Sequence, residues 1–327
     1  MYQTIIGGKE YLDMAIKLIK QGELVAFPTE TVYGLGANAL DKNAVNKIFI
    51  AKNRPFDNPL IVHVASVRQA EVVAFVSNEA KMLFESFSPG PLTVILPKKP
   101  NLPKEVTGDI NTVGIRIPNN KMALELITKS NLPIAAPSAN ISQKVSPTSA
   151  KFVFEDMNGK IPLILDGGEC EVGIESTVLT LESDIPTILR PGAVTVEMLT
   201  KVLPKVRSHT GEIRVAESPG MKYKHYAPSC ECVMFENIYS GTKFYDEQTK
   251  NGKKAVMLIT NDKVDTVGAR SYVDMGKTGE EIAHNVFRIL REAEKKYDCI
   301  IIEKLPPKGI YASIMNRLEK SSSGKTV

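Results

Sequence analysis

The sequence predicts an α/β protein in two domains, and three features carry that expectation. Short apolar strand-like runs alternate with amphipathic helical segments over roughly the first 205 residues. Periodicity then fails from His209 to Ser229, "HTGEIRVAESPGMKYKHYAPS", where glycine and proline punctuate the chain. It resumes afterwards, and 327 residues is a natural length for two domains. The expected division is 1–208 for a larger domain, 209–229 for a linker and 230–327 for a smaller α/β domain.

Taken in order, "EYLDMAIKLIKQG" places Leu12, Ala15, Ile16 and Ile19 on one helical face and stops at Gly22. "ELVAFPT" reads as a strand, 43–51 as a helix and "LIVHVA" as a second buried strand. The runs "LTVILP", "TVGIRIP", "PIAAPS", "PLILD", "STVLTL" and "TILRPG" are further strands, with helices expected at 122–129 and 196–203. Beyond the linker, "CVMF", "AVMLIT" and "CIIIEK" read as strands. A helix over 279–297 opens on the capping-box pattern Thr278-x-x-Glu281 and carries Ile282, Val286, Ile289, Leu290 and Ala293 on one side.

With 43% hydrophobic and 24% charged residues the chain has ordinary globular composition, which excludes a disordered or fibrous protein. A net charge of +4 falls far short of a dedicated nucleic-acid binder, so any bound anion is expected to be small. An RNA-binding module is the competing class; 6% aromatic residues, no tryptophan and no RNA-binding motif count against it. Cys170, Cys230, Cys232 and Cys299 lack zinc-ligand spacing and read as reduced thiols of a cytoplasmic protein. Glu10 and Asp13 interrupt what an export signal would need, and no run is apolar enough to span a membrane.

Two apparent motifs fail on context. "GLGANA" mimics a dinucleotide fingerprint, but "PTETVY" separates its glycines from the preceding strand. "SSSGKTV" mimics the end of a phosphate loop, yet the first glycine of that pattern would fall on Glu319. Scattered histidines (His63, His209, His225, His284) argue against a histidine metal centre, and no nucleophilic triad has a defensible spacing.

Other stretches carry more weight. "FPTETVYGLG" leaves a strand at Pro28 and offers the hydroxyls of Thr29, Thr31 and Tyr33. In "AKNRPFDNPLIVHV" each proline biases Arg54 and Asn58 toward extended backbone, so Lys52 and Arg54 are expected past the end of the 43–51 helix, where they could share a polyanion. His63 fits either a cavity or a satisfied core position. Thr112 and Arg116, four apart in a strand, share a face, and an arginine in an apolar strand calls for an anion. "APSANISQKVSPTS" supplies Ser138, Asn140, Ser142 and Ser146; "DGGECEVGIESTV" adds glycines with Ser176 and Thr177; "ILRPG" ends in Arg190. Ligands of α/β proteins bind at such strand ends.

These motifs, in this order and with the linker "SPGMKYKHYAP", resemble the YrdC family in its two-domain form, the threonylcarbamoyl-AMP synthases. The resemblance covers the first 205 residues or so and the linker. It implies a twisted, open mixed sheet with helices around a large concave cavity, plus a smaller Rossmann-like C-terminal domain. It also implies a nucleotidyltransferase that joins L-threonine, bicarbonate or CO2 and ATP into threonylcarbamoyl-AMP, releasing pyrophosphate, for threonylcarbamoyladenosine in tRNA. By the same resemblance Thr31, His63, Arg116, Ser138 and Thr177 would hold threonine. Arg54, Asn58, Thr112, Ser138, Asn140, Ser146, Arg190 and Tyr226 would hold ATP, with Lys52 beside the phosphates; Lys52 and Arg54 would serve catalysis. Mg²⁺ would arrive with ATP and without protein side-chain ligands. The linker, with Lys222, Lys224, His225 and Tyr226, would close over the ATP as a lid. A transient contact with the tRNA threonylcarbamoyl transferase machinery is expected, RNA binding weak at most, and no membrane contact.

Overall fold

The computed structural model describes residues 2–209 and 226–327. Most of the expected linker, including Lys222, Lys224 and His225, lies outside the described residues, and so does the lid assigned to it. Described residues divide into two compact units: one of 2–142, 146–171 and 175–209, the other of 143–145, 172–174 and 226–327.

The first unit is built on one mixed sheet. Its strands are β1 (Ile5–Gly7), β2 (Val25–Phe27), β3 (Gly34–Asn38), β4 (Ile61–His63), β5 (Leu92–Pro97), β6 (Thr112–Arg116), β7 (Ile134–Ala135), β8 (Leu163–Leu165), β9 (Thr177–Thr180), β10 (Thr187–Arg190) and β11 (Arg207–Ser208). They lie in the order β1-β8-β2-β3-β7-β4-β6-β5-β9-β10-β11. One face packs Ala26, Leu35, Val62, Val94, Ile115 and Leu179 into the main core. The opposite face carries Val25, Phe27, Ile134, Leu163 and Leu165 beneath the helices Leu12–Lys20 and Lys121–Ser130. Alternation along each strand makes both faces apolar, which is what a sheet buried on two sides requires.

Every strand expected from sequence in this unit is present, and the structure adds β1, β3 and β11 together with helices including Val67–Val73, Asn78–Phe87 and Ala150–Met157. The helix expected at 196–203 is only Val196–Leu199. Strand β3 is "GLGAN", so its glycines sit inside a strand and not at a phosphate-binding turn. A Cβ at Gly36 would lie 2.8 Å from Phe27 Cε1 and 2.9 Å from Ile134 Cγ2. The glycines therefore let the Phe27 ring lie flat across β3, where it meets His63 edge-on at 5.9 Å.

One expectation fails locally. Lys52 is the last residue of the helix Lys42–Lys52, not part of an extended segment beyond it. Asn53 in the left-handed conformation (φ 50°) ends the helix, its backbone N–H donating to Ile50 and Phe49 carbonyls. Pro55 acts one residue too late to expel Lys52.

The second unit holds a four-stranded sheet of β12 (Glu231–Phe235), β13 (Ala255–Ile259), β14 (Tyr272–Asp274) and β15 (Cys299–Glu303), all parallel, in the order β12-β15-β13-β14. Its inner strands are continuous apolar runs because helices cover such sheets. The helix Gly279–Ala293 starts at the expected cap, with the Thr278 side chain accepting from the Glu281 backbone N–H. It ends four residues earlier than expected, and the helices Ile238–Lys250 and Ile310–Ser321 were not legible from periodicity.

Candidate active site

The second face of the large sheet packs β7 against the helix pair through Ile134. Towards β10 it carries an apolar cluster of Ile95, Val178 and Leu189 and, at one end, polar side chains. In β6, Gly114 pairs with Ile61 of β4, and Arg116 pairs with His63, so both His63 and Arg116 stand on this face. Thr93 of β5 pairs with Arg116 from the other side, and Thr112 shares the face at the far end of β6. The row continues through a 2.8 Å contact between Thr93 Oγ1 and Ser176 Oγ. Arg190 Nε and Nη2 then donate to the Ser176 carbonyl at 3.1 and 2.9 Å, and Nη2 to Ser176 Oγ at 3.1 Å. His63, Arg116, Thr93, Ser176 and Arg190 thus line one end of five neighbouring strands, β4-β6-β5-β9-β10.

Each expected cation is buried, and each has a partner within the chain. Lys52, 1% exposed, donates to the carbonyls of Ser138 and Asn140. Arg54 donates to the carbonyls of Asn58 (3.3 Å) and Pro59 (2.9 Å), immediately before β4. Ser138 forms a bridge to Gly34, which ties the Lys52 corner to the end of the β2–β3 loop.

That loop is a tight turn. Thr29 Oγ1 donates to the Val32 carbonyl (2.7 Å), accepts from the backbone N–H of Thr31 and Val32, and lies 2.9 Å from Thr31 Oγ1. Glu30, on the same turn, places Oε2 2.8 Å from Arg116 Nη2, with 3% and 5% of the two side chains exposed. The Tyr33 hydroxyl donates to the Gly168 carbonyl (2.7 Å) and accepts from the Gly167 N–H (3.1 Å), which pins the glycine segment beside the turn. His63 is deeply buried. Desolvation, reinforced by the Arg116 charge, holds its pKa down at about 3, so the imidazole is neutral at pH 7. Burial pushes the Cys170 thiol well above its ordinary range, and it is no nucleophile.

The remaining expected residues are placed less uniformly. The Ser146 hydroxyl donates to Glu175 Oε1 (2.6 Å), and the Thr177 hydroxyl donates to the Val194 carbonyl (2.7 Å). Thr177 pairs with Leu92 and so points to the opposite face from Thr93. Tyr226 belongs to the second unit, where its ring stacks on Phe287 at 5.2 Å and lies 6.0 Å from the Arg317 guanidinium carbon. Sequence reasoning passed over Glu30, Glu175 and Thr93. Glu30 could have been found, because an acidic residue inside "FPTETVY", between two strands with apolar cores, has little reason to be there unless something charged meets it.

Comparison with known proteins decides the family. Residues 17–192 match the family model described as "Telomere recombination", which spans the Sua5, YciO and YrdC proteins, and residues 194–323 match "Threonylcarbamoyl-AMP synthase, C-terminal domain". The chain belongs to the YrdC family. It has that family's two-domain, Sua5-type form, in which a threonylcarbamoyl-AMP synthase C-terminal domain follows the YrdC domain. Curated relatives named threonylcarbamoyl-AMP synthase include one from Pyrococcus abyssi, 46% identical over 96% of this chain and 94% of the relative. Another, from Bacillus subtilis, is 44% identical over 96% and 93%. Among solved structures, P. abyssi Sua5 complexed with L-threonine matches at 45% identity and TM-score 0.93, covering 99% of this chain and 98% of that one. Of the motifs that carried the resemblance, those around His63, Arg116, Ser176 and Arg190 meet along one end of the YrdC sheet.

Proposed function

We infer that this chain makes threonylcarbamoyl-AMP, condensing L-threonine, bicarbonate or CO2, and ATP with release of pyrophosphate. The observation that carries the reading is the row of buried polar and cationic side chains, His63, Arg116, Thr93, Ser176 and Arg190, along one end of a sheet face. Arg116 supplies the fork that a threonine carboxylate fits, with neutral His63 and Thr31 for the hydroxyl. Lys52, Arg54 and Arg190 provide fixed positive charge for ATP, and Thr112, Ser138, Asn140, Ser146 and Asn58 complete its site within the first unit.

Catalysis by this set is positioning and electrostatics. The threonine amine attacks CO2, and the carbamate oxygen displaces pyrophosphate at the α-phosphorus; no protein nucleophile enters. A carbamate decays in water, so holding it beside ATP supplies much of the acceleration. Lys52 and Arg54, fixed by carbonyl contacts before ATP binds, offset charge growing on the phosphates without reorganising. Mg²⁺ would enter on the ATP phosphates as part of the substrate. No helix among the described residues is long and apolar enough to cross a membrane, and with four unpaired cysteines a cytoplasmic place beside the tRNA threonylcarbamoyl transferase machinery fits.

The test is pyrophosphate release from ATP with and without threonine and bicarbonate, with serine as control. Release that needs both co-substrates and falls with serine supports the reading. Release indifferent to threonine overturns it.

A further inference from the structure

Lys52, Arg54 and Arg190 donate to backbone carbonyls or to Ser176. The Glu30–Arg116 pair is different. The two groups touch at 2.8 Å, yet neither Glu30 oxygen, nor Nε or Nη2 of Arg116, has a hydrogen-bond partner among the described residues. Both side chains are more than nine-tenths buried. A buried carboxylate normally gathers two or more donors, and a buried guanidinium fills its fork. Here charge is balanced while hydrogen bonding is left open on both partners. Two buried opposite charges with unused hydrogen-bonding capacity are the complement of a zwitterion, whose carboxylate would go to the cation and whose ammonium would go to the anion.

We propose that Glu30 is a catalytic residue: it receives the ammonium group of the bound α-amino acid and takes a proton from it, freeing the amine. This rests on the amino-acid site inferred above and deepens it. The pair opens around the substrate. Arg116 turns its fork to the carboxylate, and a Glu30 oxygen accepts from the ammonium. One proton then passes from nitrogen to Glu30, leaving a neutral amine and a protonated carboxyl group. The nitrogen lone pair forms the N–C bond to CO2, one C=O π pair moves to oxygen, and the nitrogen passes its second proton to solvent water. With bicarbonate as the source, its dehydration to CO2 releases the hydroxide that takes this second proton as water. Glu30 returns its own proton to solvent when product leaves.

The groups facing Glu30 suit this role. Arg116 comes from β6, His63 beside it from β4, Cys170 from the glycine segment, and Thr29 and Thr31 from Glu30's own turn. Arg116 is the cation among them; His63 and Cys170 are neutral at pH 7. Glu30 is the carboxylate of that set; Glu169, which also acts on Cys170, lies on the glycine segment beside it.

The first experiment needs no variant. Calorimetry compares binding of L-threonine with binding of 2,3-dihydroxybutanoate of the same stereochemistry, in which a hydroxyl replaces the ammonium. Wild-type protein is expected to prefer threonine by about 10–100-fold, the worth of one charge-assisted contact. Equal affinity for the two overturns the proposal. In the second experiment Glu30→Gln keeps the side-chain volume but not the charge. It is expected to lose that preference, to lower kcat by about 10²–10⁴-fold, and to remove the acidic limb of the kcat–pH profile while the KM for ATP stays close to wild type. Glu30→Asp should recover part of kcat. An unchanged kcat and pH profile in Glu30→Gln refutes the base role even if threonine-dependent turnover stands. Absence of threonine binding by wild-type protein would instead remove the amino-acid site, and Glu30's role with it.

Discussion

Lowering the pH from 7 to 4.5 should weaken the first unit through His63. An unfolded histidine takes up a proton below its ordinary pKa of 6.5, whereas His63 in the folded chain resists protonation down to about 3. Between those values the unfolded state binds more protons, so stability falls as pH falls and is intact above 6.5. The slope is about 1.4 kcal/mol per pH unit, giving about 2.7 kcal/mol between pH 6.5 and 4.5 and roughly 5 kcal/mol over the whole window. His63→Asn removes the titration but adds a pH-independent packing loss. The assay is urea denaturation of wild type and His63→Asn at pH 7, 5.5 and 4.5, with NMR titration of the histidine ring protons alongside. The stability gap should narrow by about 2.7 kcal/mol on going to pH 4.5, and one of the four histidine signals, absent in the variant, should fail to titrate above pH 4. Parallel curves for the two proteins, or a His63 signal with a midpoint near 6.5, would refute the burial argument.

Other outcomes follow from the same contacts. Arg116→Met strands the Glu30 carboxylate and should cost about 3–5 kcal/mol, most of it regained in Glu30→Gln/Arg116→Met; a double variant no more stable than the single would contradict the pairing. Gly36→Ala drives a methyl into Phe27 and Ile134, and chemical denaturation should read a loss of about 1–3 kcal/mol, with a loss below 0.5 kcal/mol counting against the close approach. Arg190→Lys cannot reproduce the fork on Ser176 and should raise the KM for ATP about 10-fold or more; an unchanged KM would take Arg190 out of the ATP site. Thr278→Ala removes a helix cap and should lower the stability of the second unit by about 1 kcal/mol in thermal melts.

Strands with strong apolar runs and the capped helix 279–293 were legible in the sequence because burial on both faces leaves a continuous signal. Strand β3 was not, because "GLGAN" is chosen for closeness to Phe27 and not for strand propensity. Short helices such as Val67–Val73 carry too few turns for a period to show. In the site, Thr112 and Arg116 were placed on one face by strand alternation alone. The partner of Arg116 was anticipated as an anion from outside, whereas the chain supplies Glu30 from a turn whose acidic residue was overlooked among hydroxyls. Lys52 was misplaced because the proline rule acts on Arg54, while the helix end is set by Asn53.

The most direct measurement is mass spectrometry of the nucleotide products formed from ATP, L-threonine and ¹³C-bicarbonate. Threonylcarbamoyl-AMP carrying the ¹³C label, lost together with pyrophosphate release in Arg116→Met, is the expected result. Unlabelled product, or only AMP or ADP irrespective of threonine, would contradict the assignment of this sheet face to threonine, carbonate and ATP.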